Sequence, residues 1–236
     1  MTPREITLRS TVPLVINVFN QFHYLKCMVD QFQAHGFRNI LILDNNSSFP
    51  PLLDYYTELN ARHAANVIFY GQNRGPHYFF VRNIYQHLLE STPFLYTDPD
   101  LGWNAISPTF LSRLFDLSNK YSLFKVGCAL TVPTSTTAKP DLPHFSFDNQ
   151  SYSVAQWEAQ YWQELAEPDV YKAPVDTTMH LFHPKFYERG SALITGVRVA
   201  GEGMEAIHWP WFNTDTCPAE EREFFRAQTR HSSWQV

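Results

Sequence analysis

The chain has 236 residues, of which 44% are hydrophobic, 16% aromatic and only 17% charged, with a formal net charge of −5. That length suits one domain with a sizeable core, and the composition excludes a disordered segment, a fibre or a coiled coil. The acidic balance excludes a nucleic-acid-binding stripe, no apolar run approaches the ~20 residues of a membrane span, and 9 glycines leave little for a glycine-built phosphate loop.

The N-terminal segment carries Arg4, Glu5 and Arg9 with no apolar block, so a cytoplasmic protein without a signal peptide is expected. Cys27, Cys128 and Cys217 are few, distant and odd in number, which fits reduced thiols. Val12 to Phe19 (VPLVINVF) reads as a buried strand. From Gln21 to His35, Leu25, Met28, Val29 and Phe32 fall at helical spacing, with Gly36 in the C-cap region. Asn39 to Leu43 is a second strand running into Asp44-Asn45-Asn46-Ser47-Ser48, which is turn chemistry. Pro50 and Pro51 open a helix to about Ala64, and Asn66 to Tyr70 is a third strand. His77 to Leu89 reads as a helix and Pro93 to Thr97 as a fourth strand, ending at Asp98-Pro99-Asp100. Alternation at this pitch means βαβ units in an α/β fold with a mostly parallel central sheet and helices on both faces.

Beyond Leu101 the rhythm weakens. Pro108 to Tyr121 is expected helical, Leu123 to Val132 a strand, Pro133 to Gln150 a loop and Tyr152 to Glu167 a helix. Thr177 to Phe182 and Ser191 to Ala200 are expected strands, and Cys217 to Arg230 a last charged helix. Its Phe224 and Phe225 offer at most peripheral membrane contact. No linker divides the chain, so 1–236 is expected to be one domain, with 1–101 its nucleotide-binding half and 102–236 completing the acceptor and metal sites.

Ligands of open α/β sheets sit beyond the carboxyl ends of the strands. The residues there are Phe19-Asn20, Asp44-Asn45-Asn46, Gln72-Asn73-Arg74-Gly75 and Asp98-Pro99-Asp100. Asp98 and Asp100, spaced i, i+2, point the same way in extended backbone and suit Mg²⁺ or Mn²⁺ bridging a diphosphate. Asp-Pro-Asp is also turn chemistry, but its place after an apolar strand, fourth in a βα series, favours the ligand. Asp44 stands where a carboxylate holds a nucleotide's base or ribose, and equally where one closes a turn or caps a helix. Arg74 and Arg82 are natural phosphate partners, Arg82 being equally an ordinary surface residue of its helix.

With VPLVINVFN, NILILDNNSSFPPL, QNRGPHYFFVRN, LYTDPDL, APVDTT and AIHWPWF through SSW, the chain resembles GT-A-fold glycosyltransferases, especially small single-domain enzymes related to the family-2 group. The resemblance implies a nucleotide-diphospho-sugar transferase fold. It implies a nucleotide-sugar donor, UDP-sugar favoured, whose base lies near Phe19, Asn20 and Asp44 and whose diphosphate meets a metal on Asp98 and Asp100. It also implies a late histidine returning to that metal, and His208 is the matching position. Inverting transfer needs a general base, and Asp176, between a proline-containing loop and an apolar strand, is the choice, with Glu202 or Glu205 as competitors. Trp209, Trp211 and Tyr78 either stack on sugars or belong to the core. The expected activity is metal-dependent transfer of a sugar to a hydroxyl of a glycan or glycolipid, in polysaccharide biosynthesis. The rivals are a sugar-phosphate nucleotidyltransferase, which normally carries a glycine-rich loop after the first strand, and a non-catalytic nucleotide- or glycan-binding module.

Overall fold

A computed structural model describes residues 1–81, 91–188 and 191–229. Arg82, Trp234 and nearly all of the expected helix 77–89 beyond Val81 lie outside the described residues. The chain opens with a helix that the hydrophobic pattern does not reveal, α1 (Pro3–Thr11). Its start signal is local: Thr2 accepts from the Glu5 amide, and Pro3 fills a position whose N–H has no partner anyway. Five elements then follow in the expected order: β1 (Leu14–Val18), α2 (Phe22–Ala34), β2 (Ile40–Asp44), α3 (Pro50–Ala61) and β3 (Asn66–Phe69). A short helix α4 (Tyr78–Val81) and strand β4 (Phe94–Thr97) complete the first half.

The second half holds β5 (Leu101–Gly102), α5 (Phe110–Tyr121), β6 (Lys125–Cys128), β7 (His144–Phe147), β8 (Gln150–Ser153) and α6 (Val154–Ala159). Strands β9 (Leu165–Glu167), β10 (Val170–Tyr171), β11 (His180–Phe182), β12 (Val197–Val199) and β13 (Ile207–His208) follow, then helix α7 (Ala219–Gln228). Two expectations fail here. The loop expected at 133–150 contains β7, paired antiparallel with β8 across Asp148 and Asn149, whose φ values of 50° and 60° are those of a tight hairpin turn. The helix expected over 152–167 spans only Val154–Ala159, and Leu165–Glu167 is instead strand β9, which Pro168 and Asp169 turn back onto β10.

The central sheet has nine strands in the order β3-β2-β1-β4-β11-β6-β12-β10-β9. Strands β3, β2, β1, β4, β6, β12 and β9 run one way, and β11 and β10 the other. Because β11 is inverted, its N-terminal end lies at the carboxyl edge of its neighbours, with His180 opposite Tyr96 and Gly127. The approach to β11 is thereby delivered to the edge where ligands bind.

Alternate residues face opposite layers. Leu14, Ile16, Ile42, Leu95 and Leu181 pack with Leu25, Phe32, Leu52 and Leu114 from α2, α3 and α5. Val15, Leu43, Phe94, Tyr96 and Phe182 pack with Phe79, Phe80 and Phe124 on the other face. Each fully buried side chain of this size contributes roughly 1.5–3 kcal/mol. Glu5 ties the first helix to this core: its carboxylate accepts from the amides of Leu111 and Ser112 at 3.0 and 2.8 Å, capping α5.

Candidate active site

A cavity of about 670 Å³ lies along the carboxyl edge of the sheet. Asp98 and Asp100, just past β4, both line it. Thr177 donates to Asp98 Oδ2 at 2.5 Å. Burial, reinforced by the charge of Asp100, raises the Asp98 pKa well above the usual carboxylate range, with Thr177 pulling in the opposite direction. Gln21 donates to Asp100 Oδ2 at 3.3 Å, while Asp100 Oδ1 is buried with no hydrogen-bond partner.

His208 reaches this pair from far along the chain through a two-strand ladder in which β13 runs antiparallel to β5 and His208 pairs with Leu101. The Trp209 amide donates to Asp100 O at 3.0 Å, and its indole fits only because residue 102 is glycine: a Cβ there would lie 2.3 Å from Trp209 Nε1. His208 Nε2 lies 3.5 Å from Asp100 Oδ2, and its Nδ1 is buried without a partner. Burial lowers the His208 pKa, favouring the neutral imidazole that ligates metals.

Among the described residues no three His, Cys, Asp or Glu side chains form a preassembled metal cluster. The donors nevertheless fit Mg²⁺ or Mn²⁺, which bind through one or two carboxylates and leave positions for water and substrate phosphate. A buried Asp98 carboxylate whose pKa is raised, an orphaned buried oxygen of Asp100 and an imidazole with a lowered pKa are groups that a divalent cation satisfies together.

Asp176 lines the same cavity, with a half-exposed side chain 3.5 Å from His77 Nδ1. Its backbone is bolted from beneath. Buried Lys125 donates to the carbonyls of Val175 and Asp176, each at 3.2 Å, and Arg198 Nε to that of Pro174 at 2.7 Å. Val175 is seated over Gly127 and Gly196, where a Cβ would come within 2.7 and 2.9 Å of its methyls. Burial brings Lys125 down to about 8, and its ammonium also faces the Phe80 ring at 4.7 Å. The competing bases are elsewhere: neither Glu202 nor Glu205 lines the cavity, and Glu205 accepts from the Gly201 amide.

The expected nucleotide contacts divide. Phe19, Asn45 and Asn73 line the cavity. Asn45 also spans the strand ends, donating to Asn17 Oδ1 at 3.2 Å and accepting from the Arg74 amide at 2.8 Å. Asp44 and Asn20 do not reach the cavity. Asp44 is 1% exposed, and its oxygens accept from the Ser47 amide and the Tyr56 hydroxyl, so the turn-closing alternative is the one observed. Asn20 is fully buried and accepts from the amides of Ser48 and Phe49 at the approach to α3. Exposed Arg74 stands off the cavity, over the Tyr78 ring at 5.1 Å. Trp211 lines the cavity while buried against His208, whereas Trp209 and Tyr78 do not line it.

Several wall residues escaped the sequence reading. Tyr24, Lys139 and Arg222 line the cavity and gather on the buried carboxylate of Asp215, at 2.8, 2.5 and 3.8 Å. Burial raises the Asp215 pKa, but Lys139, the Cys217 amide and Tyr24 hold it below the usual carboxylate range. Phe225 on α7 meets Phe19 with ring centroids 6.3 Å apart, and Phe224 packs on Phe49 at 5.0 Å, so both phenylalanines offered for membrane contact turn inward. Phe145, Phe147, Trp157 and Tyr161 line the far wall.

No family model matches the chain, and no curated protein does. Among solved structures it superposes on the mannosyltransferase PcManGT from Pyrobaculum calidifontis, in complex with GDP-Man and Mn²⁺, with TM-score 0.54 at 10% identity, covering 94% of this chain and 61% of that one. The fold is of the GT-A type. A further match, to GalNAc-T7 with UDP, GalNAc and Mn²⁺, has TM-score 0.49 at 11% identity and covers 85% of this chain and 44% of that one. The chain spans less than two thirds of either. Within the GT-A fold, the Asp98 and Asp100 pair follows the fourth strand of the parallel run, at the edge where β11 delivers Asp176.

Proposed function

We propose that this protein is a divalent-metal-dependent glycosyltransferase that moves a sugar, with inversion, from a UDP-sugar to a hydroxyl of a growing glycan. The convergence of Asp98, Asp100 and His208 beside Asp176 in one cavity carries this reading. The GDP-Man and Mn²⁺ held by a protein of the same fold support its coarser part, a nucleotide-sugar donor and a divalent metal. Asp98, Asp100 and His208 would hold Mn²⁺ or Mg²⁺, which supplies charge neutralisation for the departing diphosphate. Lys139 and Arg222, which share the carboxylate of Asp215, are cations of the cavity wall that would meet the same anion. Phe19 and Phe225, both on the cavity wall, would flank the base. Asp176 takes the acceptor hydroxyl proton at its carboxylate as the new glycosidic bond forms and the bond to the diphosphate breaks.

Incubation with Mn²⁺ and a panel of nucleotide sugars should release nucleoside diphosphate slowly, with water as acceptor. Asp100→Asn should abolish Mn²⁺-dependent UDP affinity in calorimetry while the apo protein melts near wild type, since the change removes a ligand and no packing. Unaltered affinity would refute the metal assignment. Formation of nucleotide sugar from pyrophosphate would instead favour the nucleotidyltransferase.

A further inference from the structure

Four aromatic side chains on the far wall of the cavity are placed by local structure of their own. Strands β7 and β8 form a hairpin outside the central sheet, and Phe145 and Phe147, two apart, share one face of it. At the end of the hairpin Ser153 opens α6 with a reciprocal cap, accepting from the Gln156 amide at 3.2 Å while Gln156 Oε1 accepts from the Ser153 amide at 2.9 Å. That cap sets the first turn of α6 and with it Trp157. The Trp157 ring lies 4.4 Å from Phe145, 5.7 Å from Phe147 and 6.1 Å from Tyr161, centroid to centroid. Phe147 remains 58% exposed, so core formation does not account for it.

We propose that this aromatic shelf is a binding subsite for a pyranose ring, and that, on the transferase reading above, it holds the acceptor glycan. The tract that carries Asp176 joins the two parts of the cavity: Arg198, which lies over the Tyr161 ring, donates to the Pro174 carbonyl at 2.7 Å, and Thr177 donates to Asp98 at 2.5 Å. A sugar lying on the shelf therefore presents a hydroxyl to the carboxylate that would deprotonate it, with the donor beyond. The chemistry of the wall selects a sugar over a lipid chain. Gln160, Glu158 and Arg198 border the rings, and Arg198 lies over the Tyr161 face at 4.3 Å while paired with Glu158. A pyranose offers an apolar C–H face to the rings and hydroxyls to this polar border, whereas an alkyl chain offers the border no hydrogen-bonding group.

Saturation-transfer NMR with methyl pyranosides of glucose, galactose, mannose and N-acetylglucosamine tests this without metal or donor. At least one should bind the wild type. Phe147→Ala, at an exposed position that leaves the fold intact, and Trp157→Ala should each weaken that binding about tenfold. Phe69→Ala, at an equally exposed phenylalanine of β3 outside the cavity, should bind as wild type. The proposal is overturned if no pyranoside binds, if both shelf variants bind normally, if Phe69→Ala weakens binding as much, or if a polyprenyl phosphate in detergent occupies the shelf and the pyranosides do not. Absent nucleotide release would sink the transferase reading alone, because the pyranoside measurement requires no turnover.

Discussion

Asp176 is aimed through its backbone. Two buried cations from adjacent strands, Lys125 and Arg198, take three consecutive carbonyls of the Pro174–Asp176 tract, and two glycines make room for the valine between them. The main chain is held, while the carboxylate itself stays half-exposed and accessible to a hydroxyl. Asp176→Asn keeps the size and hydrogen bonding of the side chain but removes its basicity. Nucleotide affinity should therefore survive, and turnover should fall by about 10²–10⁴-fold, the usual contribution of a general base. Steady-state kinetics beside UDP calorimetry separates the two, and full activity in the variant would move the role elsewhere. At this scale the sequence was legible where a residue's chemistry is tied to a strand end. Asp98 and Asp100 could be placed at the cavity because an apolar strand runs straight into them. Asp44 has the same signature and is nonetheless consumed by Tyr56 and Ser47, a competition for its oxygens that only the packing of α3 decides.

Helix α7 shows the same limit among elements. Its charged, amphipathic pattern was legible, but not its partner. Glu221, buried, accepts from the His23 amide at 2.8 and 3.1 Å, so the last helix caps the N-terminus of α2 beside the cavity. Burial pushes Glu221 up to about 7 from 4.5, the amides of His23 and Phe22 pull it down, and Asp215 adds to the rise. Between those values the folded protein holds a proton that the unfolded chain has released, so the contribution of this group to stability falls as pH rises through that window. Against Glu221→Gln, which cannot titrate, the wild type should lose roughly 2–3 kcal/mol of unfolding free energy between pH 5 and pH 8. His23, Asp215, Cys27 and Cys217 also face Glu221, and comparing the two proteins removes slopes they share, including the opposite one from His23, whose pKa burial lowers. Equal pH dependence in denaturant titrations would show that Glu221 is ionised throughout. The β7–β8 hairpin was illegible for another reason: its strands are short and mostly exposed, so Asp148-Asn149 resembled loop chemistry although the pair is the hairpin turn itself.

The whole molecule combines a rigid edge with a lightly held wall. Strand β1 is buried along its full length between β2 and β4, and β4 is locked in turn by β11, whose approach carries Thr177 onto Asp98. A metal and a diphosphate require such fixed ligands, and a sheet strand can shift them only by disrupting its neighbours. Phe145 and Phe147 of the aromatic shelf stand on a hairpin whose two short strands, among the described residues, pair only with each other, and Phe147 is more than half exposed. Few buried contacts and exposed backbone hydrogen bonds set a low free energy for local opening, whereas the central strands open only with the whole fold. Hydrogen exchange followed by mass spectrometry should find the amides of β1, β2 and β4 protected to the limit set by global unfolding. Those of β7 and β8 should exchange at least ~100-fold faster, an opening free energy lower by about 3 kcal/mol. A saturating pyranoside should slow the hairpin and leave the central strands unchanged, because it binds only the wall that opens. Uniform protection across hairpin and sheet would mean that the shelf is as rigid as the donor edge.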